Sequence, residues 1–155
     1  MSFSERIGIG ASAEQRAIAE FSAAGWVCLP HGLAQVGKAQ MRLITMQGEA
    51  DSTDFVVFCR RHFFFVEVKS KTELDKGGYG IDAIQWQTLL AHDQLFDGRV
   101  ILCIQDRGKN TMLAASMLFL KAAATLSFDE RYVIFPYETF RPLADFLERM
   151  RKWMA

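Results

Sequence analysis

The chain has 155 residues, half of them hydrophobic, which fits a single domain with a sizeable core. Eighteen basic and eighteen acidic side chains leave no net charge, so there is no global basic field, and any polyanion binding must rest on local patches. The longest apolar stretch, Met112–Leu126, carries Lys121 and is too short to span a bilayer, so no membrane partner is expected.

Ser12, with Gln15 three residues later, predicts a capping-box helix start, and Gly25 predicts its stop. Between them Ala17, Ile18, Phe21 and Ala24 form an apolar stripe at helical spacing. Trp26–Leu29 reads as a short strand ended by Pro30, residues 31–40 as loop, Met41–Met46 as a further strand and 48–53 as a turn. Two β-rich runs, 54–58 and 63–69, flank the polar break Cys59-Arg60-Arg61-His62 and predict a hairpin. Its two faces are both apolar, which suits a sheet covered on both sides. Then come a polar, glycine-bearing loop (Ser70–Gly80), a helix (Ile81–Phe96) and a buried strand (Gly98–Gln105). A helix over Asn110–Leu126, a strand over Tyr132–Phe135 and a helix over Pro142–Met154 close the chain. This order predicts an α/β fold with a central mixed β-sheet flanked by helices, in one domain spanning 1–155 without repeats or linkers. The N-terminus has no signal-peptide apolar region. Cys28, Cys59 and Cys103 are odd in number and lack zinc-site spacing, so they read as reduced, mostly buried thiols of a cytoplasmic protein.

The chemistry concentrates at one end of the hairpin. A two-residue turn at Arg60-Arg61 and a four-residue loop over 59–62 give the same register, in which partner numbers sum to 121. Phe58 then faces Phe63, Val56 faces Phe65, and Asp54 faces Glu67, whose carboxylates converge because opposed Cβ atoms lie about 5 Å apart. Lys69 shares their face, since side chains alternate with period two. Glu-x-Lys alone is uninformative, because roughly one chain in two of this length carries it by chance. The bland alternative is a frayed, solvated strand end with Asp54 capping a turn. Two carboxylates and an ammonium at one end of an apolar hairpin are costly to place without a cation or an equivalent partner. Mg²⁺ takes oxygen ligands, one or two of them carboxylates. Asp54 and Glu67 would supply these, and the Val68 carbonyl a third oxygen. Lys69 would orient or deprotonate an attacking water, or stabilise charge on a phosphate oxygen. The reaction this suits is metal-assisted phosphodiester hydrolysis.

These residues resemble the PD-(D/E)xK nuclease superfamily, with Asp54 at the start of one strand and Glu67-Val68-Lys69 closing the next. Thr53 stands where the pattern often has proline. Within the superfamily the chain looks most like the archaeal Holliday-junction resolvase, VRR-NUC and Mrr-like branches. The resemblance covers about residues 10–105 and implies a restriction-endonuclease-like αβββαβ core, with 106–155 as a helix-strand-helix extension. It implies Mg²⁺ or Mn²⁺ as cofactor, nucleic acid, chiefly DNA, as substrate, and a homodimer as a possible assembly. It also implies a glutamate in the first helix, matched by Glu14, and a glutamine in the helix after the Glu-x-Lys strand. Glu14 lies four residues before Ile18 and seven before Phe21, on the apolar stripe. Its bland role is a first-turn glutamate favoured by the helix dipole. For the glutamine, Ile81, Ile84, Thr88, His92 and Leu95 mark one helix side with Gln85 in its middle, whereas the spacing to Gly98 in VRR-NUC-like sequences favours Gln87.

Nucleic acid would be met by Lys71, Lys76 and the glycine segment 77–80, with Tyr79 stacking on a base. Asp51 is a rival first carboxylate but does not oppose Glu67, and His31, His62 and His92 read as packing or surface residues. The expectation is a metal-dependent nuclease. The alternative is a non-catalytic nucleic-acid-binding or assembly module that keeps the nuclease fold.

Overall fold

A computed structural model describes residues 3–30, 42–45, 48–51, 53–74, 77–127 and 130–155; for 3–7, 30, 42–45 and 48–51 the backbone alone is described. Helix α1 (Phe3–Ala23) leads to β1 (Val27–Pro30), followed by β2 (Arg42–Thr45), β3 (Gly48–Asp51), β4 (Phe55–Cys59) and β5 (His62–Lys71). Next come β6 (Tyr79–Asp82), α2 (Ala83–Leu95), β7 (Val100–Asp106), β8 (Thr111–Ser116) and α3 (Met117–Ala123). The chain closes with β9 (Thr125–Leu126), β10 (Tyr132–Phe135), a 3-10 turn at Tyr137–Thr139, β11 (Arg141–Pro142) and α4 (Leu143–Met154).

The central sheet runs β1-β4-β5-β7-β8-β11. It is mixed: β5 and β7 are parallel, joined across helix α2, and the other pairs are antiparallel. The hairpin has the expected register, Phe58 on Phe63 and Val56 on Phe65, and Cys59 pairs with His62. That pairing selects the two-residue turn, whose first residue, Arg60, takes φ +55° as primed hairpin turns require. One face of the sheet presents Phe55, Val57, Phe64, Val66, Ile101 and Cys103 to α1 and α4. The other presents Val56, Phe65, Val100, Leu102 and Ile104 to α2, α3 and the small sheet β6-β10-β9. Burial on both sides explains why these strands read as continuous apolar runs.

Helix α1 starts well before Ser12, which is exposed in mid-helix; Gly8 and Gly10 weaken the helix without stopping it. Its end is the expected one. Gly25 takes φ +80°, Trp26 N–H reaches Phe21 O (3.0 Å) and Gly25 N–H reaches Ser22 O (2.8 Å), a Schellman closure with Trp26 packed on Phe21.

Three expectations need correction. Residues 111–116 form strand β8, not the start of a helix, and α3 covers only Met117–Ala123. Met, Leu and Ala are good helix formers, but the turn after β7 folds this run back onto the open edge of that strand, where pairing outweighs propensity. With β8 and β11 in the main sheet, the residues after 105 are part of its architecture rather than a simple helix-strand-helix appendage. The segment 79–82, expected as loop and helix start, is β6, paired with β10. Because Ile81 belongs to that strand, the buried stripe of α2 is Trp86, Leu89, His92 and Asp93, and Ile84 is 78% exposed. In the 41–46 strand, Arg42–Thr45 is β2, and 48–51, expected as turn, is its partner β3. The 31–40 loop, with His31, lies outside the described residues.

Gly78 sits at φ +109°, and a Cβ there would lie 2.2 Å from Phe135 O. Gly98, at φ +74°, has open space around it. Gly78→Ala is expected to lower stability by roughly 2–4 kcal/mol and Gly98→Ala by about 1 kcal/mol. Equal losses in a denaturant titration would contradict the contact.

Candidate metal centre

The β4–β5 ladder ends at the pair Phe55–Val66, one step before Asp54. Asp54 is thus outside the strand, yet its carboxylate continues the pairing: Val68 N–H donates to Asp54 Oδ2 at 2.7 Å. Even-numbered residues of β5 point their N–H and C=O toward β4, and odd-numbered ones toward β7, as Phe65 N–H to Arg99 O shows. The Val68 carbonyl therefore faces the same edge as its N–H, beyond the last paired residue of β4. Glu67 and Lys69 alternate with Val68 onto the α2 side of the sheet, where Lys69 Nζ lies 2.5 Å from Glu67 Oε1. Both side chains are largely buried, 22% exposed for Lys69 and 16% for Glu67.

Glu14 comes from α1. Ala13, Ala17 and Phe21 form the buried stripe there, and Glu14 lies half-buried beside it. Burial first, and then the charge of Glu67, push the Glu14 carboxyl above its ordinary value, against the pull of Lys69. Asp54 is pushed up to about 7, first by burial, then by Glu67; the Val68 N–H opposes the rise and Glu14 adds to it. For Lys69, burial alone would lower the ammonium, but Glu67, Asp54 and Glu14 outweigh it and hold it above its ordinary value. The structure thus brings together three carboxylates and one lysine that sense one another.

The fit to a divalent cation can be tested on this cluster. Three carboxylates against one ammonium leave an excess of negative charge, and burial first, then Glu67, push the Asp54 carboxyl up to about 7. Among the described residues no three His, Cys, Asp or Glu side chains stand at metal-ligating spacing. Mg²⁺, however, needs only one or two carboxylates and completes its shell with water and substrate oxygens. Asp54, Glu67 and the Val68 carbonyl fit that demand.

The remaining candidates are placed differently. Gln85 and Gln87 are both exposed on α2, off its buried stripe, and neither side chain makes a hydrogen bond among the described residues. Lys71 lies half-buried at the end of β5, on the face of Lys69. Lys76 lies outside the described residues. Tyr79 cannot stack on a base: it is fully buried, packed on Phe140, and its hydroxyl donates to Asp106 Oδ2 at 2.7 Å. Asp51 pairs with Arg42 in β3. His62 lies at the hairpin tip against Trp153, and His92 is buried against Phe65 and Phe96. Of the three free thiols, Cys103 is buried and Cys28 and Cys59 are half-buried.

Sequence reasoning missed Asp106. Fully buried at the end of β7, it accepts Gly108 N–H (2.8 Å) and Lys109 N–H (3.2 Å) on Oδ1 while Tyr79 holds Oδ2. Burial would raise its carboxyl, but these donors hold it below the usual range. The turn-like Asp106-Arg-Gly-Lys sequence was the available signal.

This mixed sheet, its hairpin and its flanking helices make a fold found among solved nuclease structures. Two of the solved structures with this fold illustrate it. One is the Holliday junction resolvase Hjc of Archaeoglobus fulgidus, at 16% identity and TM-score 0.61, covering 89% of this chain and 99% of that one. The other is a nuclease from a fusselovirus, at 12% identity and TM-score 0.52, covering 99% of this chain and 95% of that one. No protein-family model and no curated protein matches the sequence.

The raised Asp54 carboxyl has a definite pH signature. Its folded value, about 7, exceeds the ordinary 3.8, so in that window the folded state binds more protons than the unfolded. Asp54 therefore destabilises the metal-free protein fully above about pH 7, and this penalty fades as pH falls toward about 4. In EDTA, wild-type minus Asp54→Asn stability should rise as pH is lowered through that window. A flat difference would contradict the cluster.

Proposed function

We propose that the chain is a Mg²⁺- or Mn²⁺-dependent nuclease that hydrolyses phosphodiester bonds of DNA. The observation that carries this is the convergence of Asp54, Glu67 and Glu14 around Lys69 at the open end of the hairpin. The likeness of the fold to two nucleases, one of them a Holliday junction resolvase, supports it.

Asp54, Glu67 and the Val68 carbonyl would hold the cation. When bound, it supplies Lewis-acid stabilisation of charge on the phosphate. The raised ammonium of Lys69 is protonated at neutral pH, so its role is that of a donor and a positive charge rather than a base. It orients the attacking water and stabilises charge developing on the non-bridging phosphate oxygens. Glu14, half-buried and of raised basicity, would take a proton from that water or support a second cation. As the water oxygen bonds to phosphorus and gives up a proton, the phosphorus–oxygen bond to one sugar breaks and the departing oxygen takes a proton from solvent, leaving a phosphate monoester and a sugar hydroxyl. Gln85, exposed in the first turn of α2, is the nearer of the two glutamines to the N-terminus of that helix and the better candidate for a phosphate contact. The free thiols support a reducing, cytoplasmic setting. No helix among the described residues is long and apolar enough to cross a membrane.

The test is cleavage of duplex, branched and single-stranded DNA with Mg²⁺ or Mn²⁺. Lys69→Ala and Asp54→Ala proteins that still fold should lose activity by about 10²-fold or more, and EDTA should abolish it. A purified chain that cuts none of these substrates with either metal would overturn the proposal.

A further inference from the structure

The chain is neutral overall, yet four cations gather where β5 and β7 end side by side: Lys69, Lys71, Arg107 and Lys109. Two of them are neutralised. Lys69 is paired with Glu67, and Lys109 lies 2.6 Å from Glu73, with its ammonium over the Tyr137 ring. Lys71 and Arg107 have no ion pair among the described residues, although Arg107 N–H donates to Lys71 O at 2.9 Å and joins the two segments. Each disfavours the other's company: burial, Lys69 and Arg107 all lower the Lys71 ammonium, and Asp82 is the carboxylate that opposes them.

Asp106 stands between them in sequence and could neutralise either. It does not, because it is turned inward with both oxygens committed to Tyr79, Gly108 and Lys109. The same carboxylate fixes the turn that carries Arg107. The far side of that turn is braced by α1, where Arg16 donates to Asn110 Oδ1 (2.7 Å) and Asn110 O (3.0 Å). Arg107 is therefore an exposed guanidinium on a rigid turn, beside a lysine with no ion pair among the described residues. Preorganised cations of this kind lose little freedom on binding an anion.

Lys71 is two strand residues beyond Lys69, about 7 Å along the sheet. Backbone charges of one DNA strand recur about every 3.4 Å measured along the helix axis. We propose that Lys71 and Arg107 form a phosphate-binding pair that grips the DNA backbone one or two phosphates from the one attacked beside Lys69. This rests on the nuclease reading and adds the contact that sets sequence-independent affinity.

The test measures DNA binding by fluorescence anisotropy across a salt series, using the full chain carrying Asp54→Asn in EDTA so that nothing is cut. Lys71→Ala and Arg107→Ala should each weaken binding and flatten the slope of log affinity against log salt by about 0.9, and Arg107→Lys should keep the parent slope. Lys152→Ala, on the exposed face of α4, serves as the reference for a charge removed elsewhere. Slopes unchanged in both alanine proteins, or flattened as much by Lys152→Ala, would overturn the pair. If wild type still cleaves with metal in that case, the nuclease reading stands alone. A parent protein that binds no DNA overturns the pair, and a wild type that cleaves none overturns the nuclease reading.

Discussion

The hydrogen bond from Val68 N–H to Asp54 Oδ2 takes over where the β4–β5 ladder stops. A backbone partner at that step would have closed the edge and left Glu67 and Lys69 as ordinary strand residues. A side-chain carboxylate there does two things at once. It satisfies the Val68 donor, and it brings a second negative charge beside Glu67. The open edge also leaves the Val68 carbonyl without a ladder partner from β4.

From that contact the electrostatics follow. Asp54 and Glu67 sit on a sheet covered by helices, so solvent screens them poorly, and Glu14 on α1 adds a third carboxylate. Lys69 answers only part of this charge. Burial and the neighbouring carboxylates consequently push the Asp54 carboxyl up to about 7. The surrounding fold is built to keep these groups together. The parallel β5–β7 pair fixes Lys69 against Ile104, and the Asp106-locked turn ties β5 to β7, with Arg16 tying α1 to the same turn.

The hairpin was legible in the sequence because its polar break and aromatic runs leave one register that keeps each apolar residue paired. Asp54, Glu67 and Lys69 followed from that register by alternation, whereas Glu14 came from the family resemblance, with its four-residue spacing to Ile18 as a check. What failed did so where tertiary contacts override local pattern. Thr111–Ser116 is rich in helix formers yet pairs as a strand with β7. Ile81, counted into α2, rotated the inferred helix face and set Gln85 on a side that the structure leaves exposed. Tyr79 looked like a mobile aromatic in a glycine loop, but its hydroxyl reaches a carboxylate 27 residues away. Nothing in the local sequence announces that bond.

The central claim is that the carboxylates of the hairpin and of α1 are arranged for a cation, and direct titration tests it. Calorimetric titration of the EDTA-stripped protein with Mn²⁺, run near pH 7 in two buffers of different ionisation enthalpy, reports both binding and proton release. The account predicts saturable binding with release of protons from the Asp54 carboxyl, lost in Glu67→Gln. Absence of binding, or identical binding by Glu67→Gln, would contradict it.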